Sequence, residues 1–196
     1  MELMESIQGR RSIRKYTDRQ IPREDLETIV TAGLFAPNAG GRQGTRIIGV
    51  RSAKLCAEIG RLNMLRFDRS RLLGSYVSKE QPSTIDDPTI TNGLYGAPAC
   101  CVLFGPRNFR FSVPDAFCCA ENIVLAAYSL GIASCIVSRA EETFDNEGGA
   151  KLLDEWNIPK DYTARCLISL GYCSTEYPKT RTPRADRARI IEDGAK

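Results

Sequence analysis

Apolar and polar positions recur along the chain at spacings that predict about five helices and four or five short strands. Between Pro22 and Pro37, apolar or small residues follow the i, i+3, i+4, i+7 pattern of an amphipathic helix from Leu26 onward. Further helices are predicted over residues 1–9, 53–67, 114–130 and 147–156. Strands are predicted over residues 46–51, 99–105, 132–137 and 164–170.

Two of these segments are apolar enough to lie at the centre of the fold. Residues 99–105 (ACCVLFG) form a continuous apolar run, which is typical of a strand buried on both faces. Residues 114–130 are apolar nearly all round and are expected to form a central helix that ends at Gly131. We expect Glu121 in this helix to be buried and therefore paired, in either a functional or a structural role, and Asn122 to hydrogen-bond to the backbone of a neighbouring segment.

The order of helices and strands decides the fold class. Helices and strands do not alternate regularly and the G-x-G-x-x-G fingerprint is absent, so a doubly wound dinucleotide fold is not expected. We predict an α+β fold in a single domain, residues 1–196, since this length suits one core. Residues 68–96 are polar and contain prolines, and we expect an irregular excursion or lid, called the lid segment below. Residues 174–196 are expected to form an extended tail.

Composition excludes several classes of function. The chain has no histidine and no C-x-x-C spacing, which removes histidine-based catalysis and the usual zinc and iron–sulfur sites. Its eight cysteines lie mostly in apolar runs and are expected to be reduced and buried. No run reaches about 18 apolar residues, and the N-terminus MELMESIQGRRS lacks the apolar centre of a signal peptide. We therefore expect a cytoplasmic protein with no membrane partner.

Basic residues are concentrated near the two ends of the chain. The net charge is only +3, but residues 10–22 carry five basic residues against one acid, and residues 175–191 carry five against two. This distribution suggests one anionic partner met by both ends. The small net charge argues against a nucleic acid. The tail is either a disordered basic extension or a segment packed on its own domain or a partner subunit, as Ile190 and Ile191 favour.

Residues 10–14 (RRSIR), here called the arginine strip, are the first candidate site. Guanidinium groups bind phosphate through paired, charge-assisted hydrogen bonds. In an extended segment, Arg10, Ser12 and Arg14 lie on one face and Ile13 points to the core. The strip is thus able to present two cations and a hydroxyl to one ligand, while a solvated basic segment remains the alternative.

Residues 37–43 (PNAGGRQ), the glycine loop, are the second candidate. Gly40 and Gly41 let backbone approach a flat ligand closely. Asn38 and Gln43 are able to read an amide-like edge as donors and acceptors. A plain turn between helix and strand is the alternative from the residues alone.

The order of several segments carries more information than any one of them. RRSIRKYTDRQIPREDLETIVTAGLFAPNAGGRQ is followed by YGAPACCVLFG, AENIVLAAYSLGIASCIVS, LISLGY and a basic tail. This series closely resembles the nitroreductase family of FMN-dependent flavoproteins over nearly the whole chain. The resemblance implies a three-layer α+β fold with a central, mostly antiparallel sheet flanked by helices. It also implies an intertwined homodimer with FMN at the subunit interface and the C-terminal tail reaching the partner.

The resemblance also assigns roles to residues. Arg10 and Ser12 would hold the phosphate and ribityl end of FMN, and Arg14 would lie near the N1–C2=O edge of the ring. The glycine loop would come from the other subunit, with Asn38 in place of the family's usual serine. The residues implied to bind the cofactor are Arg10, Arg11, Ser12, Arg14, Pro37, Asn38, Ala39, Gly40, Gln43, Asn63, Ser138, Arg184 and Arg187.

The activity implied by the resemblance is that of an NAD(P)H oxidoreductase. Hydride would pass from NAD(P)H to FMN and then, by ping-pong turnover, to a nitroaromatic, a quinone or another small electron acceptor. The flavin would carry the chemistry, so no protein side chain is assigned as catalytic. Two alternatives stay open: another reaction of the same fold, such as dehalogenation or azoline dehydrogenation, and an FMN-binding redox sensor with little turnover.

Overall fold

A four-stranded antiparallel sheet lies at the centre of the structure, a computed structural model that describes residues 2–72 and 75–192. Its strands are β1 (Arg46–Val50), β2 (Ala99–Pro106), β3 (Ala133–Val137) and β4 (Tyr162–Gly171). Their order is β1-β2-β4-β3, and each neighbouring pair is antiparallel. β2 and β4 are therefore the inner strands, while β1 and β3 form the two edges.

Five helices surround this sheet. They are α1 (Leu3–Gly9), α2 (Arg23–Leu34), α3 (Ala53–Met64), α4 (Ser112–Ser129) and α5 (Glu147–Glu155). Each predicted helix and strand is present, with boundaries that shift by a few residues. The largest shift is in α3, which was expected to reach residue 67 and ends at Met64. Residue 1 of the first predicted helix, residues 73–74 of the lid segment and residues 193–196 of the tail lie outside the described residues.

Side chains of β2 show why the fold has three layers. Cys101 and Leu103 point to one face of the sheet and pack in a cluster with residues of α2 and α4. Val102 and Phe104 point to the other face and pack with α3 and the segment that leads into α5. Both faces of β2 are thus buried, as its continuous apolar run predicts. The predicted α+β, three-layer fold is confirmed.

Helix α4 departs from the sequence prediction at one position. Glu121 was expected to be buried, but its side chain is 49% exposed, with Arg10 Nε 4.0 Å from its carboxylate. The prediction was wrong because the helix turns this face to solvent beside the arginine strip. Asn122 behaves as predicted, since its Nδ2 donates to the backbone oxygen of Ala32 on α2 at 3.0 Å.

The lid segment is irregular, as predicted. Within residues 68–72 and 75–96 the only helix is a 3-10 turn, Arg69–Leu72, and these residues form no strand before β2 begins at Ala99. The Asp86 carboxylate accepts hydrogen bonds from the backbone N–H groups of Val77 and Ser83, each at 2.8 Å. The burial of Asp86 raises its pKa, but the hydrogen bonds from this backbone outweigh it, and the pKa is lowered.

Among the described residues, the cysteines form neither disulfides nor a metal-binding cluster. All eight cysteines are free, and six of them are buried. Across residues 2–72 and 75–192, no group of three or more cysteines and carboxylates is placed to hold a metal ion. In the same ranges, no helix has the length and apolar character that a membrane span requires.

Candidate functional site

The arginine strip runs beside the edge strand β3. Ser12 forms a parallel bridge with Ser134, and Ile13 N–H donates to the Ser134 backbone oxygen at 2.9 Å. This pairing holds the strip extended. Ile13 is fully buried, as the alternation along an extended segment predicts.

Two guanidinium groups of the strip have unpaired buried donors. Arg10 Nε and Arg14 Nε are both buried and have no hydrogen-bond partner among the described residues. The carboxylate nearest to Arg10 Nε is that of Glu121, at 4.0 Å, too far for a hydrogen bond. Arg14 lies over the ring of Tyr95, 5.8 Å from its centroid.

Arg11 has a different set of contacts. Its Nη1 donates to Gln8 O at 2.8 Å and its Nε to Lys179 O at 3.2 Å. Its backbone N–H donates to the Tyr177 hydroxyl at 3.0 Å. The guanidinium of Arg11 therefore connects the start of the tail to the strip.

Three neighbouring cavities extend from the strip. The strip cavity, of about 280 Å³, and the middle cavity, also of about 280 Å³, share Arg14 and Val77 as walls. The outer cavity, of about 260 Å³, shares Ser138 and Arg139 with the middle cavity. Other residues around the middle cavity include Phe67, Ser83, Thr84, Ile85 and Tyr95. The lid segment and the end of β3 thus both line the middle cavity.

Asn63 lies at the far end of these cavities and is held by Arg139. Its Nδ2 donates to Arg139 O at 2.6 Å and to Thr143 Oγ1 at 2.8 Å. In return, Arg139 Nη1 donates to Asn63 O at 2.6 Å and Nη2 to Asn63 Oδ1 at 3.0 Å. The Asn63 side chain is buried, and both the nitrogen and the oxygen of its amide take part in these hydrogen bonds. Asn63 therefore positions Arg139.

A model of the nitroreductase family matches residues 7–172 of the chain. The chain belongs to the nitroreductase family. The resemblance seen in its segments is thereby confirmed. The matched range covers the arginine strip, the glycine loop, the lid segment and all four strands.

Relatives of this nitroreductase-family protein are known among archaea and bacteria. The protein of Archaeoglobus fulgidus named "Putative NADH dehydrogenase/NAD(P)H nitroreductase" is 29% identical over 178 residues, which cover 89% of this chain and 87% of the relative. A solved nitroreductase with bound FMN from Bacteroides fragilis is 26% identical, with a TM-score of 0.76 over 98% of this chain and 100% of that one. A nitroreductase with bound FMN from Desulfitobacterium hafniense, 24% identical, has the same fold at a TM-score of 0.76 over 98% and 100% of the chains.

Within one chain of this nitroreductase-family protein, the glycine loop lies apart from the strip. Its centre forms a 3-10 turn, Ala39–Gly41, with Pro37 two residues before the turn and Gly40 at a φ of +64°. Asn38 Oδ1 accepts from Gln43 N–H at 2.8 Å, and Ala39 N–H donates to Asp115 at 2.9 Å. None of these loop residues lines the three cavities. Their predicted contact with FMN therefore stays a prediction that requires a second subunit.

The two tail arginines predicted to hold the phosphate also lie apart from the strip. Arg184 and Arg187 are exposed at a 3-10 turn, Ala185–Arg187. Arg184 Nε lies 3.9 Å from the Asp186 carboxylate. Arg181 is nearer to the site, since it lines the strip cavity and pairs with Glu80 at 3.7 Å.

Sequence reasoning missed Arg139. It borders two of the three cavities, and its guanidinium lies over the ring of Phe67, 4.3 Å from the centroid. The available signal was its position: it directly follows Ser138, at the end of a strand that the resemblance already places near the flavin.

Proposed function

We propose that this nitroreductase-family protein binds FMN along the strip and middle cavities and is an FMN-dependent NAD(P)H oxidoreductase. The observation that carries the proposal is the pair of buried, unpartnered Nε donors on Arg10 and Arg14. Buried donors on a cation without an acceptor are costly, and an anionic ligand supplies the acceptor. The FMN bound to the Bacteroides fragilis protein and the NAD(P)H in the name of the archaeal relative support the choice of ligands.

Residues of the strip and of the middle cavity can be matched to the parts of FMN, from its phosphate to its ring. Arg10 and Ser12 would hold the phosphate and the ribityl chain. Arg14, between the strip cavity and the middle cavity, would lie beside the N1–C2=O edge of the ring. Ser138, across the middle cavity, would face the opposite edge of the ring.

Bound FMN supplies the redox chemistry, since it accepts hydride from NAD(P)H and passes reducing equivalents to a second substrate. Arg14 contributes a positive charge where negative charge develops during hydride transfer, and a charge already in place needs no reorganisation. Its guanidinium is fixed because Nη1 donates to Gln81 O at 3.0 Å. Val77 and Ile85 of the lid segment give the middle cavity an apolar lining.

We propose nitroaromatics, quinones or related small electron acceptors as second substrates. One middle cavity serves both the hydride donor and the acceptor, so the donor product must leave before the acceptor binds. This order is ping-pong turnover. The chain contains no histidine, and the reaction assigned here requires no histidine acid or base.

We further propose a cytoplasmic homodimer in which each FMN lies at the subunit interface. In a single chain, the glycine loop and Arg184 lie away from the strip, and a partner would supply them. β1 is an edge strand of the sheet. Ile190 and Ile191 of the tail are 86% and 74% exposed in the single chain, which favours their burial on a partner. Light scattering on the purified protein should give twice the mass of one chain. A mass of one chain with FMN bound would contradict the dimer.

The proposed FMN site is tested by a fluorescence titration of FMN against purified protein. Arg14→Ala should raise the dissociation constant at least about tenfold, because a charge-assisted contact is lost. Arg23→Ala is the matched control, since Arg23 is exposed and pairs with Glu27 of its own helix. Equal affinity of Arg14→Ala and the wild type would exclude this site.

A further inference from the structure

Arg139 is a cation that faces a cavity without a carboxylate partner. Its hydrogen bonds run to Asn63 O, Asn63 Oδ1 and Met64 Sδ, all of which are uncharged. Within the described ranges, no carboxylate lies within ion-pair distance of its guanidinium. Burial lowers the pKa of Arg139, while the nearby Tyr95 and Glu142 only partly offset this effect. The charge of Arg139 is thus poorly compensated by the chain itself.

The Arg139 guanidinium is nevertheless held in one place. Asn63 contacts it twice, and Phe67 lies under its plane at 4.3 Å. Holding an arginine in this way costs side-chain entropy and desolvation. These contacts anchor Arg139 on the end of α3, and the same side chain also borders the open space of the middle and outer cavities.

The two arginines of the middle cavity lie where it meets its two neighbouring cavities. Arg14 is shared with the strip cavity and Arg139 with the outer cavity. The phosphate of FMN is assigned to Arg10 and Ser12, beyond Arg14, so Arg139 remains available to another anion. Phe67 and Tyr95 add aromatic surface to the same cavity, which favours a flat ligand.

We propose that Arg139 is a specificity-determining residue that binds an anionic group on the molecule reacting with FMN. The chemistry is that of a carboxylate or phosphate beside a flat ring, which a fixed guanidinium recognises through paired hydrogen bonds. The anionic group has two possible sources: the carboxylate of an aromatic acceptor, or the phosphate that distinguishes NADPH from NADH. This inference rests on the proposed FMN-dependent function.

Two matched pairs of substrates separate these sources in the wild-type protein loaded with FMN. The first pair is 4-nitrobenzoate and 4-nitrobenzamide, which differ in charge at similar size, and the second is NADPH and NADH. In at least one pair, the member with the additional anionic group should have the higher kcat/KM, by about tenfold. A wild type that prefers this member in neither pair overturns the proposal.

Three variants then assign the preference to Arg139. Arg139→Gln should reduce the preferred ratio about tenfold, and Arg139→Lys should reduce it less because the charge remains. Arg61→Gln removes the same charge from an exposed position paired with Glu58, and its ratio should match that of the wild type. A ratio that is unchanged in Arg139→Gln, or equally low in the lysine variant, contradicts the assignment.

Equilibrium binding gives a readout that does not depend on turnover. If the acceptor carboxylate is the source, benzoate should perturb the absorbance of FMN bound to the wild type at a lower concentration than benzamide does. If the phosphate of NADPH is the source, 2′-phospho-AMP should bind the FMN-loaded wild type more tightly than AMP does. Arg139→Gln should remove the difference. If that variant instead weakens FMN binding and keeps every ratio, Arg139 belongs to the flavin site and the proposal is wrong. Bleaching of the flavin by NADH or NADPH without an acceptor tests the proposed function separately.

Discussion

Gln81 binds Arg14 at two points and so joins the lid segment to the arginine strip. Arg14 N–H donates to Gln81 Oε1 at 2.7 Å, and Arg14 Nη1 donates to Gln81 O at 3.0 Å. Gln81 Nε2 donates in turn to Thr175 Oγ1 at 3.1 Å, at the start of the tail. Gln81 is only 3% exposed, so these contacts are shielded from water. One residue thus holds the arginine that we assign to the flavin ring, with its side chain on the Arg14 backbone and its backbone oxygen on the guanidinium.

Gln81→Ala should weaken FMN binding. The change leaves the buried Arg14 N–H without an acceptor, which costs about 1 kcal/mol and corresponds to roughly a fivefold higher dissociation constant if Arg14 is displaced. Fluorescence titration with FMN measures it, with the exposed Gln8→Ala as control. An FMN affinity equal to that of the wild type would show that Gln81 does not position Arg14.

Asn63→Ala should destabilise the fold, because it removes an acceptor of Arg139 and the donor to Thr143. Leaving these buried groups unpaired costs about 2 kcal/mol, which urea unfolding measures. Asn108→Ala, at an exposed asparagine, is expected to change the free energy of unfolding by less than about 0.5 kcal/mol. If the two variants are equally stable, the contacts between Asn63 and Arg139 contribute nothing to stability.

The Asp86 carboxylate should make stability depend on pH in the acidic range. Its pKa is lowered in the folded protein, so its contribution is present above the unfolded pKa and is lost as pH falls through the folded pKa. Asp86→Asn should therefore be less stable than the wild type near neutral pH, and the difference should shrink below about pH 4. Urea unfolding at both pH values checks this. The exposed Asp18→Asn controls for net charge, and a pH-independent difference for Asp86→Asn would contradict the account.

Most of the fold was predictable from sequence because its elements follow local patterns. The apolar run of β2 marks an inner strand, and Gly131 ends α4 at a φ of +73° with Ile132 N–H donating to Ala127 O at 2.8 Å. The error at Glu121 has a physical reason. A sequence pattern shows that a helix is largely apolar, but not which turn of it faces solvent.

The contacts that build the site were not predictable from local patterns. Arg14 and Gln81 are 67 positions apart, and Asn63 and Arg139 are 76 apart. The polar lid segment shows no periodicity, so nothing in it identifies Gln81 as buried. Asn63 was predicted to lie near the flavin, and the structure shows its amide engaged by Arg139 and Thr143. Only the folded chain distinguishes a side chain that binds a ligand from one that holds a neighbour.

The central claim is that this nitroreductase-family protein binds FMN and that NAD(P)H reduces it. The most direct test is the absorbance spectrum of the purified protein, loaded with FMN and freed of excess, during an anaerobic titration with NADH and then NADPH. The account predicts a yellow protein with one FMN for each chain, whose flavin absorbance is lost on addition of one of the two donors and returns with an electron acceptor. A protein that takes up no FMN, or whose bound FMN stays oxidised with both donors, would contradict it.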